Sequence, residues 1–387
     1  MNGLPGSIKS FLLFLALTLA AAQGCDVEKP DETQDVGMDL VLSFTNNVEE
    51  ELADKLSYVK DQPIRAALED YIAPIFSHDV HDVDLSFYDQ RKGGIRTWHV
   101  TSVLDAEEKV ISVRLVPSDY RYGAAANLSK TPTVKLADAE KEAELVILQA
   151  DGTSESHRAG IFSARKRLLV RKDAQDQIAS TLSMNNAAVA LIINRDSCEV
   201  RGIRATIEGL ADSFRILDSA YTYDRKTVIK ADVIDIEPYI QAAAGSDQDL
   251  PLDASPWGYD GSWTQWTKTP LMIAAAGFPS RTFGTTVVNS SVVVWTVNLY
   301  VDLADGTTTR NDIYIGQPVL AHHLKIVKGW LQADGSFEAT PPLPPTPGHG
   351  GNGHEPPTPP TPDDSTDVVG VSVALNWSKG MSFEPEL

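Results

Sequence analysis

Val287–Leu303 reads VVNSSVVVWTVNLYVDL, and after Ala304 come Asp305-Gly306 and then Thr307–Ile315, TTTRNDIYI. β-branched and aromatic residues dominate both arms, and Asp-Gly supplies the two left-handed positions that a tight hairpin turn needs. The stretch therefore predicts a strand that turns back on itself, and its surroundings repeat the pattern. Ala187–Asn194 (AAVALIIN) is continuously apolar, as expected of a strand buried on both faces. Gly202–Leu210, Phe214–Tyr223, Thr227–Ile236, Leu271–Gly277 and Leu324–Trp330 read as further strands.

The first half of the chain has the same character. Met38–Thr45 (MDLVLSFT) alternates, with Leu40, Leu42 and Phe44 on one side. Asp82–Asp89 (DVDLSFYD) sends Val83, Leu85 and Phe87 inward, Gly93-Gly94 makes a turn, and Ile95–Leu104 returns. Lys109–Val116, Asp119–Leu128 and Ile161–Val170 follow, the last beyond an acidic 138–157 stretch. One helix is expected at Ile64–Phe76, where Ile64, Leu68, Tyr71, Ile72 and Ile75 share a face. Pro63 suits its start, and Pro74 kinks or ends it. Strands every 8–12 residues or so, separated by turn residues, indicate β-sandwiches rather than βαβ units. With a boundary in the charged run Arg171–Gln177, the expected organisation is a sandwich at 38–175 and a second at 176–338.

The N-terminus adds a different signal. Lys9 precedes an apolar run of ten, Ser10–Leu19, and Ala20–Gly24 leads to Cys25. Ten residues are too few to cross a bilayer, which takes about 20 as helix. Residues 1–24 therefore read as a cleaved signal peptide, and Cys25 as the thiol that a lipoprotein pathway acylates. Two or three acyl chains anchor stably, at about 0.8 kcal/mol per buried CH₂. Residues 25–37 are acidic and contain Pro30, so they are expected to form a tether. The expected location is the outer membrane, surface-exposed and held by lipid. A net charge of −20 over 387 residues argues against nucleic acid as a partner. With Cys25 acylated, Cys198 is the only other cysteine, so an intrachain disulfide is excluded.

The C-terminus is equally distinctive. Residues 339–366 are rich in Pro and Gly, a composition that favours extended polyproline and buries no core. Beyond it, in the segment 367–387, Val369, Val371, Val373 and Leu375 alternate with Gly370, Ser372, Ala374 and Asn376. A half-buried strand on a long leash must find a sheet edge, either its own or a neighbour's.

Signatures of catalysis are missing: no GxSxG, HExxH or P-loop occurs. His78, Asp79, His81, Asp82 and Asp84 form the densest group of metal-ligand types, and a polar turn between helix and strand explains them as well. Cys198 reads as a small semi-buried residue. Trp257, Tyr259, Trp263 and Trp266 lie in a turn-rich loop, where they would either stack on sugar rings or fold down over a sheet end. No enzyme activity, metal or other cofactor is expected, and a surface glycan-binding lipoprotein is the alternative function.

Cys25 with Asp26, MDLVLSFT, DVDLSFYD, Pro117–Leu128 (PSDYRYGAAANL), AAVALIIN, Thr296–Thr309 (TVNLYVDLADGTTT) and Val368–Trp377 (VVGVSVALNW) together resemble the FimB-type fimbrial anchor and accessory lipoproteins of Bacteroidota. The resemblance spans roughly Cys25–Trp377 and rests on structural patterns. It implies two tandem transthyretin-like β-sandwich domains in a mainly β chain, with one short helix in the first. It also implies a place in a type V fimbria, an adhesion pilus whose subunits pair by exchanging β-strands. Polymerising relatives are cut by an Arg-directed protease, for which Arg91, Arg96 and Arg165-Lys166-Arg167 are candidate positions. The Pro/Gly/His insertion before the last strand departs from a simple transfer of strand order.

Overall fold

The computed structural model describes residues 35–44, 62–77, 79–103, 110–138, 140–172, 177–195, 198–244, 269–282, 286–288 and 291–338. The chain begins β1 (Val36–Phe44), α1 (Gln62–Ile72), β2 (Asp82–Asp89), β3 (Ile95–Val103), β4 (Val110–Leu115) and β5 (Asp119–Ala126). It continues with β6 (Val134–Asp138), β7 (Ala143–Ile147), β8 (Phe162–Leu169), β9 (Gln177–Met184), β10 (Ala187–Asn194) and β11 (Val200–Glu208). Then come β12 (Ser213–Arg215), β13 (Ala220–Thr222), β14 (Val228–Ile234), α2 (Glu237–Ala244) and β15 (Leu271–Gly277). β16 (Thr286–Val288), β17 (Ser291–Val293), β18 (Trp295–Leu303), β19 (Thr308–Ile315), β20 (Leu324–Leu331) and β21 (Phe337–Glu338) complete it.

Two long sheets carry the architecture. The first has seven strands in the order β3-β2-β5-β8-β9-β1-β4. β8 and β9 pair only through Phe162–Met184 and Ser163–Ser183, so the sheet folds over at that corner. Val83, Leu85, Phe87, Tyr122 and Ala124 then share one core with Leu40, Ile111, Val113, Ile178 and Leu182 from its other half. β9 lies just beyond the boundary expected at 175 and hydrogen-bonds within this first sheet, parallel to β1.

The second sheet runs β19-β18-β11-β14-β15-β10-β20-β21 and folds over in the same manner. Val189, Leu191, Ile193, Ile273 and Val327 face Ile207, Val297, Leu299, Val301 and Ile313 across its core. All eight residues of β10 are buried, as its unbroken apolar run predicts. Its second face, Ala188, Ala190 and Ile192, joins the core of the first sandwich. The mainly β, tandem-sandwich expectation holds.

Details differ from the expectation in informative ways. The helix in the first unit is α1, which buries Ile64, Ala67, Leu68 and Ile72, while Tyr71 is only half-buried. A second helix, α2, follows β14. The expected strand Val287–Leu303 is divided into the short pair β16–β17 and the long β18. Phe214–Tyr223 is a hairpin, β12–β13, because Ser219 adopts a left-handed φ of 53° and turns the chain. The Asp305-Gly306 turn joins β18 to β19 with Gly306 at φ 90°.

Candidate functional site

Most sequence-derived site residues fall outside the described residues. Cys25, Val369, Val371, Val373, Leu375, Trp257, Tyr259, Trp263 and Trp266 all do, as does His78. His81 is exposed, and among the described residues no group of three potential metal ligands comes together. His322 and His323 sit in the turn before β20, with His322 at φ 65°. Cys198 is fully buried, more deeply than expected of it. Among the described residues no helix is long and apolar enough to cross a membrane.

One constellation has the residue types of a hydrolytic triad. Ser86 Oγ lies 2.8 Å from His99 Nδ1, and Asp84 Oδ1 lies 3.7 Å from His99 Nε2. The second separation is too long for a hydrogen bond, and that carboxylate oxygen accepts from Thr101 Oγ1 at 2.5 Å instead. Ser86 is 1% exposed, so its hydroxyl has no room to attack a carbonyl. These side chains are neighbours on the β2–β3 ladder, where Ser86 stands opposite His99 and Asp84 opposite Thr101. Their role is to satisfy one another.

The junction between the sandwiches holds a polar network. Tyr71 on α1 donates to Asp232 on β14 at 2.8 Å and lies 2.8 Å from Ser156 Oγ. Arg158 donates to the other oxygen of Asp232 at 2.6 Å. Burial pushes the Tyr71 hydroxyl well above its ordinary pKa, so it stays a donor. Ser156 Oγ accepts from Ala276 N–H on β15 at 2.8 Å, and Ser154 bridges in parallel to Ile229 on β14. The segment between β7 and β8 thus adds itself to the second sheet.

His157 lies in the same segment and is fully buried. Its Nδ1 is 3.2 Å from Asn186 Nδ2, while Nε2 has no hydrogen-bond partner among the described residues. Desolvation lowers its pKa to about 3, so the ring is neutral. Asn186 also accepts from Ile161 N–H at 2.5 Å and donates to Ala159 carbonyl at 3.2 Å. One side chain between β9 and β10 therefore ties the two units together.

A third joint is a small sheet in the order β13-β12-β7-β6, to which each sandwich contributes two strands. β7 pairs with β12 through Leu145–Phe214. The turn after β12 is gripped by Arg121 and Arg165, both donating to the Leu217 carbonyl, the latter at 2.7 Å. Gly123 lies under this turn, where an added Cβ would come within 3.1 Å of Ile216 and 3.3 Å of Leu217. Sequence reading missed the joint, because β7 lies in the acidic stretch 138–157 and β12 is three residues long. The short apolar run Leu145–Ile147 within that acidic stretch was the available signal.

What the fold offers chemically is therefore a set of sheet edges on a scaffold joined at three places. No protein-family model and no curated protein matches the sequence. Among solved structures, the chain is similar to a candidate adhesin of Bacteroides ovatus, at 13% identity and TM-score 0.43, over 84% of this chain and 99% of that one. It is also similar to the fimbrial anchor protein Mfa2 of Porphyromonas gingivalis, at 11% identity and TM-score 0.41, over 76% and 91%. A fimbrial assembly protein of Parabacteroides distasonis matches at 8% identity and TM-score 0.34, over 77% and 92%. Likenesses of this degree carry no argument about partners, and the functional reading rests on the chain's own residues.

Proposed function

We propose that this chain is a non-enzymatic, lipid-anchored subunit of the outer membrane that serves as the anchor or an accessory subunit of a strand-exchanged fimbria, for adhesion. The observation that carries the reading is where the second sandwich ends. β21 finishes at Glu338, antiparallel to β20, and from there the sequence runs through the Pro/Gly segment 339–366 into the alternating strand sequence Asp367–Trp377. At about 3.1 Å per residue in extended polyproline, the segment reaches up to about 85 Å, farther than one domain is wide. The strand therefore has the reach to pair with a neighbouring subunit as well as with its own sheet. Backbone ladder bonds would supply affinity, and pockets for Val369, Val371, Val373 and Leu375 would set register. Cys25 would hold the other end of the molecule at the membrane through its acyl chains.

Deletion of Asp367–Leu387 from the full chain tests this. Loss of co-purifying fimbrial subunits with unchanged thermal unfolding is expected if the strand acts on a neighbour. A lowered unfolding temperature of the chain is expected if it acts on its own sheet. Unchanged assembly together with unchanged stability overturns the reading.

A further inference from the structure

Among the described strands only two pairs run parallel, β1 with β9 and β10 with β20. β1 is the first described strand and β20 the last long one. Their partners β9 and β10 are consecutive and joined by Asn185-Asn186 alone. A pull between the two ends of the chain therefore follows a set route. It enters at Val36, crosses from β1 to β9, passes through Asn185-Asn186 into β10, crosses to β20 and leaves beyond Leu331. The two-residue β21 gives way first and passes the load to Leu331.

The direction of each ladder decides how it answers that pull. In both parallel pairs the load enters at the start of one strand and leaves at the end of the other, at opposite ends of the ladder. The strands then part by sliding lengthwise, which strains all the ladder bonds together. An antiparallel pair loaded at one end opens bond by bond instead. β1 matches Asp39–Phe44 with Gln177–Leu182 of β9, and its other edge holds β4 from Val36–Leu115 to Val41–Val110. Met38 and Leu40 seat it in the first core. β10 matches Ala188–Asn194 with Leu324–Trp330, and every residue of β10 and β20 is buried. Water is thus kept from replacing those bonds as they lengthen. The link is braced as well: Asn185 and Asn186 are buried, and the Asn185 N–H donates to the Ile161 carbonyl at 2.7 Å.

We propose that the β1–β9 and β10–β20 ladders form a load-bearing track through the molecule, which resists a pull from its two ends and yields readily to one applied across β1 and β4. β1 and β4 are antiparallel, with Val36 opposite Leu115, so a pull at that end opens them one pair at a time. The use of the track rests on the function proposed above, in which Cys25 and Asp367–Trp377 are the two attached ends. The resistance itself depends only on the strand directions.

Single-molecule force spectroscopy on the full, unacylated chain tests this. In one geometry, handles on the thiols of Cys25 and Ala339→Cys pull end to end. In the other, handles on Cys25 and Val116→Cys pull β1 and β4 apart. Both substitutions lie outside the ladders, and Cys198 is fully buried and takes no handle. At one loading rate the end-to-end rupture force should be about twofold or more above the other, because forced unfolding reads the barrier and not the equilibrium stability. Equal forces in the two geometries overturn the proposal. So does gradual low-force lengthening past the residues of β21 in place of a single rupture. Neither handle needs the lipid or a fimbrial partner, so this outcome stands or falls separately from the deletion of Asp367–Leu387.

Discussion

Tyr71 on α1 places its hydroxyl 2.8 Å from the carboxylate of Asp232 on β14, joining the helix of one sandwich to a strand of the other. The same hydroxyl lies 2.8 Å from Ser156 and donates weakly to the Ala274 carbonyl at 3.2 Å. Tyr71→Phe keeps the ring and removes the donor, leaving part-buried acceptors short of a partner. The expected cost is about 1–3 kcal/mol. Because the core of the first sandwich includes Ala188, Ala190, Met272 and Ala274 from the second, the loss should lower one common unfolding transition. Differential scanning calorimetry checks this: two separated transitions, with only one displaced, would refute the shared-core account.

His157 gives the fold a dependence on pH. Its folded-state pKa of about 3 lies below the ordinary imidazole value of 6.5, and desolvation is the cause. The unfolded chain therefore binds more protons than the folded one between those values. The neutral ring's contribution is fully present above pH 6.5 and is lost as pH falls toward 3. His322, lowered to about 4 by desolvation and then by His323, acts in the same direction. His157→Phe keeps the edge-on contact with Phe278, now at 5.4 Å between ring centroids and 81°. Asn186 Nδ2 retains the Ala159 carbonyl. In urea titrations between pH 6 and 4, the variant should lose up to one proton's share of the slope, about 1.4 kcal/mol per pH unit. An unaltered slope would show that His157 is not the titrating group.

Local pattern made much of this fold legible, and non-local pairing explains most of the rest. AAVALIIN announced a strand buried twice over because both faces are apolar, and Ala187–Asn194 is buried throughout. In DVDLSFYD the inward Val83, Leu85 and Phe87 were readable. The burial of Ser86 and Tyr88 was not, since the face they share with Asp82 and Asp84 is polar in sequence. Tyr88 is buried in a cluster with Leu145 and Phe214, residues far along the chain. The β7–β12 joint likewise depends on two short strands meeting across about 70 residues, which no local period reports. α2 (EPYIQAAA) is brief, and its Tyr239 hydroxyl reaches Asp70 on α1 at 2.7 Å, again a contact between distant segments. Chemistry at the site was least legible: Tyr71 was read as one apolar position on a helix face, whereas it carries a polar joint.

Gly329 on β20 faces the ring of Phe337 on β21. An added Cβ would collide with Phe337 Cζ and Cε2 and come within 2.8 Å of the Glu338 carbonyl. Phe337 N–H donates to Asn311 Oδ1 at 2.8 Å, and Asn311 Nδ2 donates to the Gly335 carbonyl at 3.0 Å, so β21 also latches onto β19. Gly329→Ala should displace that latch at a cost of about 1–3 kcal/mol, the range for overpacking. Hydrogen exchange at Phe337 is the direct measure, and it should accelerate while exchange in β10 stays slow. Equal protection at Phe337 in variant and parent would mean the ring moves aside without loss.

In the proposed reading, membrane attachment depends on a single atom, Sγ of Cys25. The apolar run Ser10–Leu19 is too short to span a bilayer, so retention should require acylation of that thiol. Cys25→Ala keeps everything from Val36 to Glu338 unaltered, and Cys198, fully buried in the second core, offers no substitute thiol. The variant should appear in the soluble fraction with an unchanged circular dichroism spectrum, and it should not take up labelled palmitate. Sequence beyond Cys25 is strongly acidic, which disfavours residual adhesion to anionic lipid headgroups. Retention of the variant in the membrane fraction, or palmitate labelling equal to that of the parent, would show that something other than Cys25 holds the protein there.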